Sequence, residues 1–200
     1  MHEGTVPGVT TSENETMRAS SLTQRDTTRR QNEFARKKAL IIGLCSQAGK
    51  HLCRLLTKKG YEVWGTTRTL SQALANDKSG YLENVTILQM DLLDEASISA
   101  VLRQMSAVLN SNEQLEVYCL AAVSQVSKGI TEPVQSANVN ALGPIRLLKN
   151  IVDHDLIDRV RCFFAASSEI YGNETMISPQ HEETRCVPTS PYGMAKYFMI

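Results

Sequence analysis

From Lys38 onward, short apolar runs alternate regularly with longer amphipathic stretches, and this alternation restricts the possible folds more than any other feature. The first run, K-A-L-I-I-G-L, is uninterrupted, as is typical of a parallel strand that is buried on both faces. Parallel strands need crossover helices between them, which cover both faces of the sheet. We predict five strands, at Lys38–Leu44, Tyr61–Thr67, Val85–Asp91, Leu115–Ala122 and Arg161–Ser167.

Two of the connecting stretches are predicted to be long helices. One runs from Glu95 to Leu109 and is introduced by Asp94, and the other covers Val134 to Val152. In such a sheet, ligands bind beyond the carboxyl ends of the strands, at the point where the strand order reverses. The residues that fall at predicted strand ends are Asp91, Ala121, Ala122, Ser124, Ser167, Ser168 and Glu169.

A glycine turn follows the first strand, with Gly43, Ser46 and Gly49 spaced three residues apart. Such a turn between a strand and a helix lets the backbone approach a pyrophosphate at the helix N-terminus. The second strand ends at Arg68, and a basic residue there favours the 2′-phosphate of NADP over the ribose hydroxyl of NAD. We therefore predict an α/β fold of the Rossmann type, a doubly wound parallel sheet that binds NADP.

The segment S-P-Y-G-M-A-K carries a tyrosine and a lysine four residues apart. Ser190 suits a helix N-cap, and Pro191 suits the first helical position. In the helix predicted from Pro191 to the end of the sequence, Tyr192 and Lys196 lie on one face. A nearby ammonium favours the phenolate, which suits removal of a proton from an alcohol.

From Lys38 to Ile200 the chain resembles the extended short-chain dehydrogenase/reductases that act on nucleotide sugars. Among these it is most similar to the GDP-mannose 4,6-dehydratases. The segments that carry the resemblance are A-L-I-I-G-L-C-S-Q-A-G, K-K-G-Y-E-V-W-G-T-T-R, M-D-L-L-D, V-Y-C-L-A-A-V-S-Q-V, N-V-N-A-L-G-P-I-R-L-L, A-A-S-S-E-I-Y-G and S-P-Y-G-M-A-K, in the family's order. One departure is Ser46, which replaces the middle glycine of the family's turn.

The resemblance implies a role for particular residues. The cofactor-binding positions that it implies are Gly43, Ser46, Gln47, Gly49, Arg68, Asp91, Leu92, Leu120, Ala121, Ala122, Ser124, Tyr192 and Lys196. The catalytic positions that it implies are Ser167, Glu169, Tyr192 and Lys196. No metal site is implied.

The reaction that the resemblance implies is an internal redox cycle on a nucleotide sugar, with GDP-mannose as the substrate. Tyr192 would take the proton of the sugar's 4-hydroxyl while hydride passes to NADP. Glu169 would then remove the proton at carbon 5 and help to expel the 6-hydroxyl as water. Two alternatives stay open: another nucleotide-sugar epimerase, reductase or decarboxylase of the family, and a non-catalytic NADP-binding remnant.

The domain prediction is a polar, disordered tail over Met1–Arg36 and an NADP-binding domain over 37–200 that is incomplete at its C-terminus. Family members continue into a substrate domain, so we expect these 200 residues alone not to turn over a nucleotide sugar. The formal net charge of zero argues against nucleic acid as a partner, and no apolar segment is long enough for a membrane span. Five cysteines without metal-type spacing suit the reducing cytoplasm. The resemblance also implies a homo-oligomer.

Overall fold

The computed structural model describes residues 37–75, 77–173 and 178–200. The predicted disordered tail, Met1–Arg36, lies outside the described residues. Five parallel strands form one sheet in the order β3-β2-β1-β4-β5. The strands are β1 (Lys38–Ile42), β2 (Glu62–Thr67), β3 (Val85–Gln89), β4 (Leu115–Cys119) and β5 (Val160–Phe164). The predicted α/β class with a parallel sheet is confirmed.

Helices connect the strands and cover the sheet. They are α1 (Gln47–Lys58), α2 (Leu70–Ala75), α3 (Glu95–Val108), α4 (Val126–Thr131), α5 (Pro133–Ala137), α6 (Gly143–Asp153) and α7 (Pro191–Tyr197). A π-helical turn (Asn138–Leu142) joins α5 to α6, and a 3₁₀ turn (Ser168–Tyr171) follows β5. The short helices α2 and α4 were not predicted.

Two apolar clusters hold the helices against opposite faces of the sheet. On one face, α3 and α6 pack over β1 and β4 through buried side chains such as Ile98, Leu102 and Leu147. On the other face, Cys53 and Leu56 of α1 pack against Ala39 and Ile41. Because β1 lies between β2 and β4, the strand order reverses beside β1, where a ligand is expected.

Four strands end earlier than the apolar pattern predicts. Strand β1 stops at Ile42 rather than Leu44, β4 at Cys119 rather than Ala122, β5 at Phe164 rather than Ser167, and β3 at Gln89 rather than Asp91. For β4 the reason is visible in the backbone. Leu120 still donates to the carbonyl of Ile42 at 2.9 Å, but β1 then turns away, so the next residues have no neighbouring strand to pair with.

The helix predicted over Val134–Val152 is interrupted by the π-helical turn. Pro144 has no N–H, so the carbonyl of Asn140 cannot receive the ordinary helical hydrogen bond from it. Gly143 instead donates to the carbonyl of Asn138, five residues earlier. The last helix begins at Pro191 as predicted, but it ends at Tyr197 instead of continuing to the end of the sequence. Within the described residues, no helix is both long enough and apolar enough to cross a membrane.

Candidate active site

The glycine turn after β1 brings three pieces of backbone into close contact. Gly43 has a φ of +90°, and a Cβ on it would lie 2.7 Å from the backbone nitrogen of Ala121. A Cβ on Gly49 would lie 2.6 Å from the carbonyl oxygen of Leu44. Because neither position has room for a side chain, the turn, α1 and the segment after β4 form a tight backbone cradle. Such a cradle at a helix N-terminus fits a pyrophosphate.

Ser46, which occupies the position of the family's middle glycine, caps α1. Its backbone is extended, and its Oγ accepts the N–H of Gly49 at 3.0 Å. Capping by serine satisfies a helix N–H group that otherwise has no partner within the helix. The side chain is thus held against its own helix. Gln47, the first helical residue, is exposed at the mouth of the turn.

Two predicted cofactor residues, Arg68 and Asp91, follow β2 and β3, which lie on the side of β1 opposite to β4. Arg68 comes directly after β2 and is exposed, and none of the described residues forms a hydrogen bond or ion pair with it. Asp91 follows β3, and its Oδ1 accepts the N–H of Leu93 at 3.0 Å. Leu92, in contrast, is 4% exposed and packs in the core.

A buried asparagine that was not predicted as a site residue fixes the segment after β4. Asn140 is 1% exposed; its Oδ1 accepts the N–H of Val123 at 2.9 Å, and its Nδ2 donates to the carbonyl of Val123 at 3.0 Å. Nδ2 also donates to Ser136 Oγ at 3.2 Å. Asn140 therefore holds the segment that contains Leu120, Ala121, Ala122 and Ser124. The available signal was an asparagine, a poor helix former, inside an apolar helical stretch.

The tyrosine and lysine of α7 are both buried at the end of β5. Ser190 Oγ accepts the N–H of Gly193 at 3.0 Å, which confirms the predicted N-cap. Tyr192 is 7% exposed, and its hydroxyl forms no hydrogen bond with any residue that the structure describes. Lys196 Nζ donates to the carbonyl of Ala165 at 2.8 Å. Burial lowers the pKa of Lys196 below its ordinary value, and the nearby Cys119 thiol acts in the opposite direction.

The predicted serine and glutamate lie on the turn between β5 and α7. Ser167 Oγ accepts the N–H of Glu169 at 3.3 Å, and so caps the 3₁₀ turn that carries the glutamate. Glu169 is half-buried, and its carbonyl oxygen lies against the Cα of Gly193, where a Cβ would approach to 2.6 Å. The structure thus brings the segment of Ser167 and Glu169 against the helix of Tyr192 and Lys196.

A small cavity of about 30 Å³ opens between the ends of β4 and β5 and the side of α7. Its lining includes the Lys196 side chain, Cys119, Ala121, Asn140 and Ala165. Burial raises the pKa of the Cys119 thiol to about 11, so this cysteine is neutral at physiological pH. The cavity therefore lies next to both the ammonium of α7 and the segment that follows β4.

Along the sheet edge, the predicted site residues fall into two groups. Arg68 follows β2, whereas the lysine-bound carbonyl of Ala165 follows β5, and the strand order places β1 and β4 between them. With strands about 4.8 Å apart, the two groups are about 14 Å from each other. The arrangement suits an extended ligand that crosses the sheet edge, with its middle on the glycine cradle.

Comparison with known proteins agrees with this architecture. The family model described as GDP-mannose 4,6 dehydratase matches residues 40–199. The chain belongs to the GDP-mannose 4,6-dehydratase family.

Several relatives carry the family's name, and two of them illustrate the match. The chain is 36% identical over 162 residues to GDP-mannose 4,6-dehydratase sdnI of Sordaria araneosa, covering 81% of this chain and 28% of the relative. It is 34% identical over 171 residues to GDP-mannose 4,6 dehydratase of Cricetulus griseus, covering 82% of this chain and 44% of the relative. The chain thus spans less than half the length of these family members.

The fold also matches solved structures of nucleotide-sugar enzymes. UDP-glucose 4-epimerase of Thermotoga maritima, solved with UDP-glucose, superposes with a TM-score of 0.65 at 25% identity. The match covers 80% of this chain and 48% of the epimerase. The Rossmann-type sheet is therefore shared with enzymes outside the dehydratase family.

Proposed function

We propose that the chain is the cofactor-binding part of an NADP-dependent nucleotide-sugar 4,6-dehydratase. The observation that carries the proposal is the backbone cradle at Gly43 and Gly49, together with the buried Tyr192–Lys196 helix near the end of β5 on the same sheet edge. A cradle alone suits any dinucleotide protein, and the tyrosine–lysine helix adds the groups for alcohol oxidation. The family membership adds the reaction class.

The residues that would hold the cofactor follow from their positions. The cradle and the N-terminus of α1 would receive the pyrophosphate. Arg68 would bind the 2′-phosphate, since it is exposed after β2 and free of other charged partners in the described residues. Asp91 follows the adjacent strand on the adenosine side, and Leu120–Ala122 and Lys196 lie towards the nicotinamide side. Bound NADP supplies a hydride acceptor and donor, so that one sugar carbon is oxidised and another reduced without an external oxidant.

The proposed chemistry of the chain's own residues is proton transfer. Tyr192, with Lys196 one turn away, accepts the proton of the sugar's 4-hydroxyl, and Ser167 donates a hydrogen bond to the same oxygen. Glu169 removes the proton at carbon 5, which the neighbouring ketone acidifies, and passes a proton to the departing 6-hydroxyl, which leaves as water. A half-buried glutamate on a turn that packs against the tyrosine's helix suits this second role.

GDP-mannose is the substrate we propose, because the relatives named above are GDP-mannose 4,6-dehydratases. The match covers less than half of the length of these relatives.

The test is a calorimetric titration of the purified chain with NADP and, separately, NAD. We expect saturable NADP binding that Arg68→Ala weakens by about 10- to 100-fold, the loss of a hydrogen bond to a charged group. The same substitution should leave NAD affinity unchanged. Arg103→Ala, an exposed arginine on α3, is the matched control and should bind NADP like the parent chain. A folded chain that binds neither NADP nor NAD would contradict the proposal.

We also propose that the protein self-associates through the outer face of α6. Apolar side chains that are 40–54% exposed form a stripe there: Leu142, Ile145, Leu148 and Val152. A contiguous apolar patch of this kind marks an interaction site. Sedimentation velocity should show a dimer or larger oligomer that Ile145→Glu dissociates, whereas Ile130→Glu on α4 leaves it intact. A monomeric parent chain would contradict this.

A reducing compartment, the cytoplasm, is proposed from the cysteines. All five are unpaired: Cys45, Cys53, Cys119, Cys162 and Cys186. Secreted proteins of oxidising compartments commonly pair their cysteines. Mass spectrometry of the natural protein after alkylation should find all five as thiols.

A further inference from the structure

Two of the elements that pack against the tyrosine helix α7 meet it at a glycine. On one side the Cα of Gly193 faces the carbonyl oxygen of Glu169, and a Cβ there would approach it to 2.6 Å. On the other side Gly129 of α4 faces Tyr192, where a Cβ would lie 3.0 Å from the tyrosine Cβ and 3.3 Å from its backbone nitrogen. Both glycines are buried.

Neither glycine is needed for an unusual backbone conformation. Gly129 and Gly193 lie inside helices and are not among the residues with positive φ, unlike Gly43 or Gly172. Inside a helix, alanine is the better residue, because glycine has the larger conformational entropy to lose. The absence of a side chain at both positions therefore has to be explained by the close contacts.

We propose that Gly193 and Gly129 are positioning residues that fix how far Tyr192 lies from Glu169. The inference rests on the proposed function, in which these two side chains carry the two proton transfers. Gly193 lets the 3₁₀ turn of the glutamate approach the helix of the tyrosine, and Gly129 lets α4 support the tyrosine from behind. A misplacement of about 1 Å between reacting groups can cost about 10²-fold in rate, so the spacing matters for the chemistry.

The two contacts differ in severity, and the difference makes the proposal testable. The atom facing Gly193 belongs to the backbone, which cannot rotate away, so Gly193→Ala must shift the 3₁₀ turn or the helix. Pro188 Cβ and Ser190 Oγ, both at 3.2 Å from the same Cβ position, limit the escape of the helix. The contact of Gly129 with Tyr192 is looser, so Gly129→Ala needs a displacement of only a few tenths of an ångström.

The experiment measures the two catalytic positions separately in the full 200-residue chain. Amide hydrogen exchange of the peptide covering Ser168–Tyr171 reports the glutamate turn. The ¹⁹F resonance of 3-fluorotyrosine at position 192, assigned with Tyr192→Phe, reports the tyrosine. Gly193→Ala should accelerate exchange in the 3₁₀ turn by about tenfold, equivalent to about 1.4 kcal/mol, and should also move the ¹⁹F line. Gly129→Ala should move the ¹⁹F line and change exchange in the turn much less.

Met194→Ala, on the exposed side of the same helix, is the control and should change neither signal. The proposal is wrong if Gly193→Ala leaves both signals unchanged, or if both glycine variants accelerate exchange uniformly along the chain, as general destabilisation would. If Gly193→Ala does not fold, Gly129→Ala still tests the proposal, because it should move the ¹⁹F line while changing exchange in the 3₁₀ turn much less. These signals are read without cofactor, so a failure of NADP binding would contradict the proposed function and leave this test interpretable.

Discussion

The two ends of the candidate site are built in different ways. In the phosphate-turn region (residues 38–58), every residue of β1 is buried, and Ser46 caps the helix that follows it only a few residues later. In the β5–α7 region (residues 160–197), β5 is half-buried to exposed, and Phe163 is 53% exposed. Its defining hydrogen bond, Lys196 to Ala165, joins residues 31 positions apart. The start of the helix in the first region is specified by local sequence, whereas the β5–α7 region depends on contacts between distant segments.

Gly49→Ala tests how tightly the phosphate-turn region is packed, and it has the largest expected effect. The new Cβ would meet the carbonyl oxygens of Gly43 and Leu44, so we expect a loss of about 3 kcal/mol in the free energy of unfolding, the upper end for overpacking. Urea denaturation measures the change. Helix propensity alone predicts that Gly49→Ala stabilises the protein, so the sign of the change distinguishes overpacking from propensity. The control is Ala48→Ser, at an exposed neighbouring position, which should change stability by less than about 0.5 kcal/mol.

Asn140→Ala tests the contact that holds the segment after β4. Without the amide, the N–H and carbonyl of Val123 lose their partners, and we expect a loss of about 2 kcal/mol. Amide exchange at Val123 should accelerate at the same time. The matched control is Asn150→Ala, also buried, because its amide donates only to the carbonyl of Arg146 in its own helix. Equal effects of both variants on Val123 would refute a specific role for Asn140.

The same distinction explains which features were predictable from the sequence. The presence of five strands, the Asp94 and Ser190 caps and the glycine turn depend on residues close together in the chain, and the structure confirms them, although four of the strands end earlier than predicted. The π-helical turn was missed because Pro144 alone does not determine whether a helix ends, kinks or widens. The cap formed by Ser46 is local, but family resemblance presented that residue only as a missing glycine.

The contacts that assemble the β5–α7 region could not be predicted in this way. Glycine at position 193 favours neither a helix nor a site on its own. The need for glycine at this position comes from the carbonyl oxygen of Glu169, which lies opposite it in the folded backbone. Likewise, the sequence places Lys196 one turn after Tyr192, but not against the carbonyl of Ala165.

Low pH should destabilise the phosphate-turn region at the N-terminal end of β1, where Lys38 lies. Both carboxylate oxygens of Glu113 accept from Lys38 Nζ, at 2.7 and 2.8 Å, and this bonding lowers the pKa of Glu113 below 4.5. The stabilisation is present above the unfolded pKa and is lost as pH falls through the folded pKa. Glu113→Gln should remove about 1.5 kcal/mol at neutral pH and flatten the acid limb of a urea-derived stability curve. Glu62→Gln, a longer and more exposed contact of Lys38, should leave that limb unchanged.

Alkaline pH should stabilise the β5–α7 region, and this is the smallest of the expected effects. Burial lowers the pKa of Lys196 from 10.5, so the unfolded chain holds this proton when the folded chain has released it. The free energy of unfolding attributable to Lys196 therefore rises as pH increases from the folded pKa towards 10.5. The gain is limited, because the nearby Cys119 acts against the desolvation that lowers this pKa. Urea denaturation of Lys196→Met should lack this rise, and the exposed Lys128→Met should keep it. If the plots of unfolding free energy against pH stay parallel for the parent chain and Lys196→Met up to pH 10.5, the pKa of Lys196 is not lowered by burial. The expected stabilisation of the β5–α7 region at alkaline pH would then be wrong.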